Sequence, residues 1–140
     1  MKKFIISKLL TTIGFSFYFI YCSLKPDYSH FIDYVNIIFH EAGHTLFYFF
    51  GEFFYVAGGS ILQILIPTVL VAYFYFRQEF FSASLLLFWV GQNFISVSIY
   101  AGDAVKMQLP LLGGDSSGHD WNYLLSVTNL LQRTESVAHS

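Results

Sequence analysis

The sequence predicts an all-α, polytopic membrane protein of about four transmembrane helices followed by a short C-terminal helix. Three observations predict it: a shortage of charged residues, apolar segments of bilayer-spanning length, and no alternation within those segments. Of 140 residues, 55% are apolar, 21% aromatic and 11% charged. A soluble domain carries roughly a quarter charged residues, and a short chain has a large surface to cover for its volume. Lipid is therefore the expected main solvent. The apolar runs approach the roughly 20 residues that cross a bilayer core. Globular strands seldom exceed about 10 residues, and a helix satisfies its own backbone in lipid. No barrel-type alternation competes with that reading.

The first apolar run extends from about Phe4 to Tyr21 behind Met1, Lys2 and Lys3. A secretory signal peptide begins the same way, but it ends in small side chains at its cleavage site. Here Tyr18, Phe19, Ile20 and Tyr21 precede Cys22 and Ser23, which favours an uncleaved transmembrane helix. Pro26 and Asp27 break the run, and Ser23 to His30 is a polar connection. The second run extends from about Phe31 to Val56, with Gly58 and Gly59 expected to end it. The third extends from about Ser60 to Phe76 and contains Pro67, before a tight polar turn at Arg77, Gln78 and Glu79. The fourth extends from about Phe80 to Ala101.

Gly102 to His119 reads as a loop, with Pro110, Gly113, Gly114, Asp115, Ser116, Ser117 and Gly118. Asp120 to Leu131 reads as a short helix with Asp120 as a plausible N-cap. Residues 1–131 form one membrane-embedded domain in this reading, and 132–140 a polar tail expected to fray. The net charge of −2, without a basic block, excludes a nucleic-acid partner. Cys22 is the lone cysteine, which excludes an intrachain disulfide. Lys2, Lys3 and Lys8 place the N-terminus in the cytoplasm of a bacterial-type plasma membrane. Four alternating spans then return the C-terminus to the same side and set His44 towards the cytoplasmic end of its helix.

The chemistry lies in the second run. His40 and His44 are four residues apart, which on a helix puts both imidazoles on one face, one turn apart. Neutral imidazole is a good zinc ligand. Glu41 is rotated by about 100° around the axis. There it can reach a zinc-activated water without being a ligand, and act as general base and then acid. Gly43 leaves the helix surface open to a peptide backbone. Three ionisable side chains in an apolar helix are costly unless paired or metal-bound. The plainer alternative is two hydrogen-bonded core histidines beside a neutral Glu41.

A catalytic zinc site needs a third ligand and an open water position. Asp103 ranks first, because Gln92, Ser96, Tyr100 and Asp103 form a polar stripe at helical spacing on the fourth run. His119 ranks second, and Asp120 or Asp115 follow, with Asp120 equally readable as a helix cap. Ser60, Gln63 and Asn93 are expected to hydrogen-bond between helices rather than bind substrate. Three functions fit these residues. They are zinc-dependent hydrolysis, membrane metal binding or transport without hydrolysis, and an inactive protease-like scaffold.

The segment His40-Glu41-Ala42-Gly43-His44, flanked by apolar residues from Val35 to Phe50, resembles the motif of the site-2 protease family of intramembrane zinc metalloproteases. The resemblance implies a zinc cofactor, a lipid-bilayer setting, and hydrolysis of peptide bonds in membrane-associated proteins or peptides. It further implies Glu41 as catalytic residue and an aspartate on a later helix as third ligand. That aspartate is usually followed by glycine in the family, and this chain contains no Asp-Gly pair. Leu109 to Asp115 has proline and glycines ahead of its aspartate. Tyr100 to Ala104 and Gly118 to Trp121 stand as replacements.

Overall fold

Apolar runs become helices here, but their boundaries and directions depart from a simple four-span path. The computed structural model describes residues 2–25, 30–109 and 118–139, and all regular structure among them is helical. The helices are α1 (Lys2–Leu24), α2 (Phe31–Phe47), α3 (Glu52–Phe76), α4 (Phe80–Gly102), α5 (Asp120–Val127) and α6 (Thr134–Ala138). Short 3₁₀ turns occupy Tyr48–Phe50 and Leu131–Arg133. Pro26, Asp27, Pro110, Gly113 and Gly114 lie outside the described residues.

Among the described residues three helices, α1, α3 and α4, are long and apolar enough to cross a membrane. The fourth expected span is not among them. Its segment is divided at Gly51, whose φ of 94° suits a residue without Cβ. The remaining α2 has 17 residues, or about 26 Å at 1.5 Å per residue, and it carries Asp33, His40, Glu41 and His44. Four hydroxyls within the apolar helices are satisfied locally. Thr12, Ser16, Ser23 and Thr68 each donate to the carbonyl four residues back, as lipid requires of a polar side chain.

Gly58 and Gly59 were expected to end a helix and instead lie inside α3, buried. Their role is close approach. A Cβ on Gly43 would collide with the Gly58 carbonyl, and one on Gly58 would lie 2.7 Å from the Gly43 carbonyl oxygen. The α2 and α3 backbones therefore touch at a point where no side chain fits. Around it the pairs His44–Tyr55 and His40–Gln63 show the two helices to be antiparallel.

The tight turn at residues 77–79 reverses α3 into α4, so α2 and α4 run in the same sense. Lys8 lies over the Phe81 ring at 4.9 Å, and Phe19 stacks on Phe88 at 6.0 Å. Both positions advance together, so α1 shares that sense too. The expected alternation of α1 and α2 is absent.

A buried polar network ties α2 to α4. Asn36 donates to Gln92 (2.7 Å), Trp89 donates to Asn36 (2.8 Å) and Gln92 donates to Asp33 (2.9 Å). The other Asp33 oxygen accepts the His30 backbone N–H that begins α2. Here, as anticipated for the polar stripe on α4, Gln92 faces the other helices. The C-terminal segment differs from a frayed tail: α6 packs on α4, with Ser98 donating to the Ala138 carbonyl at 2.6 Å and Thr134 buried.

Overpacking a close contact costs about 1–3 kcal/mol. Gly43→Ala should therefore lower the thermal unfolding midpoint in detergent. Gly91→Ala, at a helical glycine with open space around it, should leave the midpoint unchanged or raise it slightly.

Candidate metal centre

Helical spacing puts the two imidazoles of α2 side by side, with ring centroids 4.9 Å apart. Each ring is held at Nδ1 by an oxygen of α3. His44 Nδ1 lies 2.8 Å from the Tyr55 carbonyl, and His40 Nδ1 lies 3.1 Å from Gln63 Oε1. A ring nitrogen facing such an oxygen carries the hydrogen, which leaves the Nε2 lone pairs facing Asp120. The bare backbone at Gly59 makes room for this, since a Cβ there would lie 2.5 Å from His40 Nε2.

Both Nε2 atoms meet the same oxygen, Asp120 Oδ2, at 2.8 Å from His40 and 3.3 Å from His44. The three ligand atoms lie within 4.8 Å of one another. Two nitrogen lone pairs and a carboxylate oxygen repel unless a positive charge sits among them, either a proton or a metal ion. Burial alone would raise the Asp120 carboxyl. Hydrogen bonds from His40 and His44, made when their Nε2 atoms carry protons, outweigh that effect and hold it below its ordinary value. The donor set of two imidazoles and one carboxylate suits zinc with a position left open. The oxygen partners on Nδ1 are the kind that orient metal-binding histidines.

Four consecutive residues deliver Asp120 to this place. His119 caps α5 by accepting the Asn122 backbone N–H at Nδ1 (3.2 Å). The Asp120 N–H donates to the Tyr100 hydroxyl (3.1 Å). Trp121 Nε1 donates to Ser60 on α3 (3.1 Å), and Asn122 donates to the Ala104 carbonyl (2.8 Å). The N-cap of α5 is thus His119, not Asp120. Tyr100 also packs its ring against both His40 and His119.

Asp103 and His119, ranked first and second as third ligand, are brought to each other rather than to the α2 histidines. His119 Nε2 lies 3.4 Å from Asp103 Oδ2. With Nδ1 accepting from Asn122, both His119 nitrogens are occupied, and the residue is only 3% exposed. Asp103 ends its helix and accepts the N–H groups of Gln108 and Leu109, so its carboxylate turns to the loop. Asp115 lies outside the described residues. The lower-ranked Asp120 is the carboxylate that the fold places at the histidines. Glu41 is exposed on α2 beside them and outside the ligand group.

Sequence reasoning missed the Tyr55 carbonyl and the part played by Gln63 in orienting the histidines. A backbone acceptor leaves no residue-type signal. Ser60 and Gln63 do bond between elements, as anticipated. Asn93 is fully buried and bonds its own helix at the Trp89 carbonyl.

Zinc titration against a competing chelator checks this geometry. Asp120→Asn should weaken binding by at least about 100-fold, the upper end of what a lost supporting partner costs. Asp103→Asn should stay within about 10-fold of the parent chain, because its bonds hold a loop. No protein-family model, curated protein or solved structure matches this chain, so the residues themselves carry the functional inference.

Proposed function

We propose that the chain is an intramembrane zinc metalloprotease, with His40, His44 and Asp120 holding the metal and Glu41 acting as general base. The observation that carries this reading is the convergence of both Nε2 atoms on Asp120 Oδ2. The exposed carboxylate of Glu41, next in sequence to one of them, supports it further. So does the resemblance of His40 to His44 to the site-2 protease motif. Zinc held there supplies Lewis acidity, which brings the pKa of water towards about 7 and polarises a carbonyl.

The chain's own residues do the rest. Tyr55 and Gln63 keep the two imidazoles in the tautomer that offers Nε2. Tyr100 holds Asp120 in front of them by accepting its backbone N–H. Glu41 would take a proton from the attacking water and return it to the leaving amine. Three candidate spans support a lipid surrounding, and with it a membrane-associated protein or peptide as substrate. A metal-transport or scaffold role would use the histidines but gives no task to an exposed Glu41 at that offset.

The test separates chemistry from binding. Glu41→Gln should retain one zinc per chain while cleavage of membrane-anchored peptide reporters in proteoliposomes falls at least about 100-fold. Full activity in Glu41→Gln would end the protease reading. Zinc flux into the vesicles without cleavage by the parent chain would put transport in its place.

A further inference from the structure

We infer that the candidate metal centre opens on the non-cytoplasmic face of the membrane, and that it acts on peptide segments presented at that face. The statement about substrate rests on the protease reading; the statement about sidedness rests on the fold and the charges alone.

The hairpin of α3 and α4 sets the axis. The turn Arg77-Gln78-Glu79 closes one end of it. The site lies at the other end, beside Tyr55 near the start of α3 and Tyr100 near the finish of α4. From Tyr55 to Arg77 the helix rises about 33 Å at 1.5 Å per residue, comparable with the roughly 30 Å hydrocarbon core. The site and the turn therefore belong to opposite boundaries of the bilayer.

Charge decides which boundary is which. Lys8 lies over Phe81, one residue into α4 and next to the turn. Since α1 and α4 run in one sense, Lys2 and Lys3 begin α1 at that same end. Lys2, Lys3, Lys8 and Arg77 thus gather at the turn end, while Lys106 and Arg133 stand at the site end. Lys25 follows α1 at its end away from Lys2 and Lys3, which leaves four basic residues at the turn end against three beyond it. Basic residues flanking spans are retained in the cytoplasm, which assigns the turn to the cytoplasm and the site to the opposite face. Alternating spans had set His44 towards the cytoplasm; the shared sense of α1 and α2 removes the reversal on which that depended. His40, His44 and Asp120 are each slightly exposed, at 12–13% of their side chains, and Glu41 is open, so the centre is reachable from outside the helix bundle.

Single-cysteine labelling in intact cells reads the sidedness directly. In a Cys22→Ala background, Ser126→Cys on the exposed side of α5 should react with a membrane-impermeant maleimide without permeabilisation. Gln78→Cys in the turn should react only after permeabilisation. Asn129→Cys and Glu79→Cys form a second pair should either of the first fail to accumulate. The reverse pattern would overturn the inference, as would labelling of both positions in intact cells. The expected pattern together with a chain that cleaves nothing would uphold the sidedness and end the protease reading instead.

Discussion

The contact of α2 with α3 at Gly43, Gly58 and Gly59 governs how the rest of the molecule can be arranged. Two helix backbones approach there until neither tolerates a methyl group. A bilayer would offer no hydrophobic drive for helices to associate, and small residues that allow such approach are then what packs them. The closeness has a second effect. It brings the Tyr55 carbonyl and the Gln63 side chain within hydrogen-bonding distance of the histidines. Packing and ligand orientation are thus two results of one interface.

Asp120 reaches the histidines by a different route. The short helix that carries it has 8 residues, too few to be stable alone in water. Its first turn is held instead by hydrogen bonds to α3, α4 and the residues just after α4. Asp103 and His119 contribute to this anchorage. One gathers the start of the loop and the other caps the helix. Buried polar groups are expensive unless bonded, and each of these spends its bonding capacity on holding backbone. That division of labour leaves Asp120, with both histidines in front of it, as the carboxylate available to a cation.

The polar network of Asp33, Asn36, Trp89 and Gln92 works away from the site and bridges two helices of the same sense. Parallel neighbours cannot be joined by a short turn, and α2 and α4 have α3 between them in sequence. Directional hydrogen bonds in a low-dielectric interior provide register where connectivity does not. The network begins at the first turn of α2 and so also fixes how far His40 and His44 lie along α4.

The sequence by itself determined the helical class, helices long and apolar enough to cross a membrane, the 77–79 turn and the His40–Glu41–His44 arrangement. These follow from composition and from spacing along one chain, and a helix converts spacing into a shared face without help from elsewhere. The limits of α3 and α4 at the turn were legible for the same reason. Tertiary structure decided which carboxylate meets the two histidines, the break at Gly51, the role of Gly58 and Gly59, and the direction of α1. Asp103, His119 and Asp120 all satisfy the chemistry of a ligand. Choosing among them depends on how a loop folds back over two helices, which no local pattern encodes. A glycine pair reads equally as a helix end or a close contact until its neighbour is in place. The sense of a helix is set by its partners, because apolar residues suit either direction equally well.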